Sequence, residues 1–201
     1  VTVGGAYADL VGNVGATGAT DNVVIDTTNP TATVVITDAN LNDGDDSSVV
    51  TITFSEAVTG FNASDLTVTN GSIELVSSTD SGVTWTGTFV ASDDFDGTGS
   101  VTVSGAYEDL VGNVGATGAT DSVVIDTTNP TATVVITDAN LYDGDNSSVV
   151  TITFSEAVAD FSSSDLAVTN GSIASVSSND DGVTWTGTFV ASDDFDGTGS
   201  V

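Results

Sequence analysis

Over 201 residues the chain carries 29 Asp and Glu and no Lys, Arg or His, a formal net charge of −29. Nothing in it can neutralise a phosphate, which excludes nucleic acid as a partner and disfavours an anionic membrane surface; without His or Cys it has no nucleophile–His pair, no thiolate and no disulfide framework. Yet 39% of its residues are hydrophobic, too many for a charged disordered tail. A folded chain this acidic draws its counter-charge from solution, as bound divalent metal or as screening salt.

Residues 1–101 overlay 101–201 without a gap, and 14 of the first hundred positions differ, among them Asn42/Tyr142, Asp46/Asn146 and Glu74/Ala174. Near-identical copies in tandem are the mark of an array, which is selected for length more often than for a catalytic pocket. Each copy reads as all-β: short runs of Val, Ile, Thr and Phe alternate with period two and are broken by Asn-Gly, Asp-Gly and Gly-Asn signals.

In chain order, residues 1–28 read as the last two strands of a preceding module. Residues 26–30, Asp-Thr-Thr-Asn-Pro, form a linker repeated at 126–130. Its proline fixes φ and holds the residue before it extended, so a linker this short and free of Gly is expected to be stiff. Residues 29–128 make one complete module of seven strands, expected over 31–37, 48–54, 65–69, 72–77, 83–90, 100–105 and 119–125. Residues 129–201 carry the first five strands of the next module and the start of its sixth. Seven short strands in about 100 residues point to an immunoglobulin-like β-sandwich. The chain has no initiating Met, no signal peptide and no apolar run of transmembrane length, and is expected to be a window cut from something longer.

The strand at 83–90 shows the patterning: Val83, Trp85, Gly87 and Phe89 share one face and Thr84, Thr86 and Thr88 the other. Trp85 and Trp185 are therefore expected in the cores and not as ligand-stacking platforms. Tyr7 and Tyr107 are expected at corners or edges, and Phe95 and Phe195 as plugs of the core.

The acids collect in loops: 38–46, 93–97 and 108–113, with Glu56, Asp65 and the linker Asp126 added singly. Asp38-x-Asn40-x-Asn42 matches the opening of an EF-hand loop, but the Gly comes one place late and no Glu follows at the twelfth position. Sandwich topology is the better guide. It puts loops 38–46 and 93–97 at one pole and the loops after the second and sixth strands at the other, beside the incoming linker. At the first junction Asp26 would then meet Glu56, Asp109 and Asn113. At the second, Asp43, Asp45, Asp93, Asp94, Asp96 and Asp126 would face Glu156. Packed carboxylates repel one another unless a cation sits between them, so Ca2+ is expected at each junction. The alternative is that these are solvated Asp, Asn and Gly turns. A glycosidase built on paired carboxylates would need a cleft that sandwich ends do not provide, and no enzyme is expected.

The segments Asp-Thr-Thr-Asn-Pro-Thr, Val-Thr-Ile-Thr-Phe-Ser-Glu-Ala-Val, Phe-x-x-Ser-Asp-Leu and Asp-Leu-Val-Gly-Asn, in that order, resemble the bacterial Ig-like repeats of very large surface adhesins, including RTX-type and biofilm-associated adhesins. The resemblance covers the whole chain. It implies an extracellular rod of modules with calcium at the junctions, extending a distal binding domain from the cell surface. Its best-matched metal positions are Asp26 and Asp126, Glu56 and Glu156, and Asp109. The chain departs from such repeats in lacking Lys and Arg altogether, which leaves room for a salt-adapted source or a self-assembling fibre. The expected partners are neighbouring repeats and other copies, by lateral or end-to-end contact, with no membrane insertion. A carbohydrate- or cell-surface-binding Ig-like module is the alternative; it would need an exposed aromatic patch.

Overall fold

Along residues 47–54 the side chains of Ser48, Val50, Ile52 and Phe54 are buried, while Val49 and Thr53 point to solvent and Ser47 and Thr51 are half-buried. A β-branched run with period two can satisfy one wet and one dry face only as a strand in a layered sheet. The computed structural model describes every residue except Gly105, Ala106 and Thr117. It divides into two compact units, Val1–Thr127 and Thr128–Val201.

In the first unit, β1 (Ala32–Ile36), β3 (Ser47–Phe54), β6 (Gly71–Ser78) and β7 (Thr84–Ala91) form one antiparallel sheet in the order β1-β3-β7-β6. The second sheet has the order β2-β10-β8-β5, built from β2 (Asn40–Asn42), β5 (Leu66–Thr69), β8 (Asp96–Val103) and β10 (Thr120–Asp126). β10 runs antiparallel to β8 and parallel to the short β2. A two-stranded patch, β4 (Val58–Thr59) with β9 (Glu108–Asp109), closes one end. The expected Ig-like sandwich is therefore the fold.

Residues 1–28 form no strand where two were expected, only single bridges at Thr2–Thr20 and Ala8–Val14, and residues 129–201 form four of the five expected, the third standing as a single Thr169–Ser200 bridge. Within the complete module four strands differ from expectation. β8 begins at Asp96, so the loop expected over 93–97 is shorter than the composition suggested; the last residue of the expected 100–105 strand, Gly105, lies outside the described residues. β2, β4 and β9 were not expected: two- and three-residue strands are defined by their partners and carry no periodicity of their own.

Between the sheets lie Val34, Val50, Ile52, Phe54, Phe61, Phe89, Val101, Val103, Tyr107, Val123 and Ile125. Phe89 is fully buried, and glycines make room for its ring: a Cβ at Gly71 or Gly99 would collide with it. Trp85 packs against this core only partly buried, its ring 5.2 Å from Phe61 and its indole N–H donating to the Gly82 carbonyl at 3.1 Å. Tyr107 was expected at a corner or an edge, and the edge alternative is corrected. It is fully buried, tilted against Phe54 at 4.6 Å, and its hydroxyl donates to the carbonyls of Ala116 (2.9 Å) and Pro30 (3.3 Å). Tyr7, the same residue one repeat earlier, is half-exposed.

The second unit consists of β11 (Ala132–Ile136), β12 (Ser147–Phe154), β13 (Gly171–Ser178) and β14 (Thr184–Ala191) in the order β11-β12-β14-β13, the same sheet and registers as the first. Val150, Ile152 and Phe189 are buried in it. Phe95 packs against the first core, as its sequence position suggested, whereas Phe195 stands 48% exposed.

Candidate metal centre

Three segments of the first unit meet at the pole where β3 ends. The linker contributes Asp26, the turn after β3 contributes Glu56, and β9 contributes Asp109. Each presents a carboxylate oxygen, and the three oxygens lie within 4.8 Å of one another. Asp26 is exposed, Glu56 half-buried and Asp109 buried, so the group runs from the surface inward.

Asp109 is fixed by its own loop. One of its oxygens accepts from the backbone N–H of Val111 (2.9 Å), Gly112 (2.7 Å) and Asn113 (2.8 Å); the other accepts from the Asn113 side-chain amide at 2.6 Å. Gly112 turns the loop back at a φ of +98°, a left-handed conformation that favours glycine. Asn113 also donates to the Asp26 backbone carbonyl at 3.3 Å, and Asp26 accepts the Thr28 N–H at 3.1 Å. The linker is thus tied to the Asp109 loop by Asn113 and, through the Pro30 carbonyl, by Tyr107 and by the Ala116 N–H at 2.9 Å.

The electrostatics of the group oppose one another. Burial works against ionisation of Asp109, but the hydrogen bonds from Asn113, Val111 and Gly112 outweigh it and hold the carboxyl below its ordinary range. Glu56 is pushed up, first by desolvation and then by the charges of Asp26 and Asp109. Its charged form is therefore disfavoured in the fold: Glu56 contributes most at pH below its unfolded value, and that contribution is lost as pH rises through the raised folded value. Asp109 has the opposite sign, contributing above the ordinary carboxylate range and losing it as pH falls through its depressed value. In chelator at neutral pH, Glu56→Gln is expected to raise the melting temperature of the first unit, and the gain should vanish as the buffer is brought to about pH 4, where wild-type Glu56 is itself protonated. A variant less stable than wild type at pH 7 would remove the repulsion from the account.

The donor set suits a hard divalent cation. Calcium–oxygen bonds of 2.3–2.6 Å limit oxygens on one ion to separations of at most roughly 4.6–5.2 Å, and these three carboxylates, within 4.8 Å of one another, fall inside that limit.

The other expected ligands sit elsewhere. Asp45 belongs to a tight turn after β2, where Asn42 and Asp45 exchange backbone hydrogen bonds and the Asn42 side chain accepts the Gly44 N–H; Asp43 stands in the same turn. Asp93 and Asp94 precede β8, with Asp94 at a φ of +50°. Asp126 ends β10 in register with Asp96 on one side and Asn42 on the other. Among the described residues no second group of three carboxylates comes as close as Asp26, Glu56 and Asp109. Glu156 is half-buried after β12. Sequence reasoning placed Tyr107 at a corner or an edge without its tie to the linker, and gave no role to Thr127, which is buried and bonds both Phe95 and Ser92 through its hydroxyl. A Tyr eight residues before Gly115, and a Thr just outside a strand end, carry no signal of this in composition alone.

The bacterial Ig-like domain family matches this chain twice, over residues 26–125 and 126–201. A comparison with curated protein sequences gives no match. Among solved structures the chain is similar to the Escherichia coli adhesin FdeC (15% identity, TM-score 0.38, 83% of this chain and 55% of that one). It is also similar to the Yersinia pseudotuberculosis adhesin InvE (22%, 0.37, 80% and 51%) and to InvD of the same organism (20%, 0.34, 83% and 50%). The chain spans about half the length of these structures. Among the described residues no helix is long and apolar enough to cross a membrane.

Proposed function

The chain belongs to the bacterial Ig-like domain family, and from that premise we propose that it is an extender segment of an extracellular bacterial adhesin or fibre. In this reading the sandwiches are links of a rod, the kinship is with RTX-type and biofilm-associated adhesins, and the chain has no catalytic role. Asp26, Glu56 and Asp109 hold calcium where the linker enters the module. The observation that carries the reading is the convergence of three carboxylates from linker, turn and strand in a chain with no basic side chain to pair them. Bound calcium supplies positive charge between the three. The residues supply the rest: Asp109 is preset by its loop amides, Glu56 gives up its raised affinity for protons, and Asp26 draws the linker against the module.

The test is thermal unfolding of the whole chain in excess chelator and in millimolar calcium at fixed ionic strength. A native state that binds the ion gains stability by mass action. At calcium about a hundredfold above Kd the first transition should rise by roughly 10 °C or more, with no rise from matching sodium. Glu56→Gln should blunt the rise. An unchanged melting temperature would return these acids to the status of solvated turns.

A further inference from the structure

The acids are spread unevenly over the first sandwich. In β1, β3, β6 and β7 the one charged side chain is Glu74, whereas β8 and β10 carry Asp96, Asp121 and Asp126. The same sheet of the second unit has Ala174 in place of Glu74, and β11 to β14 hold no charge at all. The outer surface of this sheet is built in rows. Val35, Thr51 and Thr86 are in register across β1, β3 and β7, and Thr33, Thr53 and Thr84 form the next row. Val35 and Val49 are half-exposed there, as are Val135 and Val149 in the second unit. A chain of net charge −29 thus keeps one broad β-branched surface of each unit free, or nearly free, of carboxylates.

The edges of the sheet are guarded against strand addition. On one side the Ile36 N–H of β1 donates to the Asp121 carboxylate at 2.8 Å. On the other, β6 is bulged between Glu74 and Ser77, with Leu75 at a φ of +55°. The register of β13 shifts likewise between Ile173 and Val176. Bulges of this kind twist an edge away from an incoming strand. A partner therefore meets this sheet on its face and not along its edge.

We infer that this face is where one copy of the chain lies laterally against the same face of a second copy. Charge selects the occupant. A cationic partner would be drawn to the acidic loops at the poles, since this face offers it one carboxylate or none. Another copy is repelled by those loops and can approach here without apposing acids. The contact is isologous and needs a surface that complements itself, which a uniform field of Thr and Val provides. Strands of eight residues, four abreast at about 4.8 Å and rising about 3.4 Å per residue, offer roughly 500 Å² per copy. One pair of sheets then buries about 1,000 Å², the lower bound of a specific contact, so the association is weak and reversible. The acids around the face oppose it across sheets packed about 10 Å apart. Their repulsion reaches about 10 Å at 0.1 M salt and about 3 Å at 1 M, so salt strengthens the contact.

The inference rests on the fold and not on the calcium site, so it is tested in chelator. Sedimentation equilibrium of the whole chain should give monomer in about 0.05 M NaCl and a reversible dimer in about 1 M NaCl. Thr86→Glu with Thr186→Glu, both exposed on the face, should weaken the dimer about tenfold or more. Thr67→Glu with Ala167→Glu adds the same charge at exposed positions outside these strands and should change it by about twofold at most. Val49→Thr with Val149→Thr keeps side-chain shape and strand propensity, and should weaken the dimer without adding charge. A chain that is monomeric at both salts, a dimer that salt dissociates, or equal losses in the two charged pairs would overturn the inference. So would a dimer left intact by both the Glu pair and the Thr pair on the face.

Discussion

Replacing Phe89 with alanine should lower the stability of the first sandwich by about 3–5 kcal/mol. The ring is fully buried, and its pocket is shaped by Gly71 and Gly99, whose missing side chains give the surroundings nothing with which to refill the cavity. Domains of this size are stable by about 5–15 kcal/mol, so the variant would lose from about a fifth to nearly all of its stability. Each unit has one tryptophan, Trp85 or Trp185. Urea unfolding followed by Trp85 fluorescence in a Trp185→Phe background therefore isolates the first transition. A loss below about 1 kcal/mol would mean that β6 and β8 close over the gap.

The second large effect is expected at Gly115. A Cβ there would collide with one edge of the Tyr107 ring, and Tyr107 has nowhere to go: Phe54 lies 4.6 Å away and Phe61 6.1 Å away. Gly115→Ala must displace the ring, overpack the core at about 1–3 kcal/mol, and break hydrogen bonds worth about 1 kcal/mol each that hold the Pro30 and Ala116 carbonyls. The same collision exists between Gly15 and Tyr7, but Tyr7 is half-exposed and free to swing away. Gly15→Ala should cost little by the same denaturation assay. A spectroscopic signature accompanies the difference: burial raises the Tyr107 pKa, and in Gly115→Ala its titration should fall back toward that of an exposed tyrosine. Equal effects of the two substitutions would refute the packing argument.

The sandwich was legible because its long strands alternate cleanly. Val50, Ile52 and Phe54 against Val49 and Thr53 could be assigned to inner and outer faces by eye. β8 was misjudged at its start because Asp96-Gly-Thr-Gly reads as a turn; here the glycines serve packing, Gly99 yielding space to Phe89 and Ile125. The meeting of Asp26, Glu56 and Asp109 was readable from topology, since linker and two loops share one pole. What stayed hidden was how Asp109 is held. The sequence places Asp109 and Asn113 at the junction as metal ligands; it does not show that the backbone from Asp109 to Asn113 folds around that carboxylate and sinks it to 2% exposure. Tyr107 was hidden for a related reason: its burial depends on Pro30, 77 residues away, a distance no local pattern spans.

The parallel pairing of β10 with β2 has a consequence for load. Tension along an array of such modules enters near Thr31, ahead of β1, and leaves through Asp126, at the end of β10. The hydrogen bonds of an antiparallel ladder lie across the strands, and β10 is bonded over seven residues to β8 on one side and over three to β2 on the other. Pulling therefore slides β10 lengthwise between two neighbours, loading both ladders in shear instead of peeling one bond at a time. The small strand β2, invisible to periodicity, makes β10 an interior strand at the point where the chain bears tension.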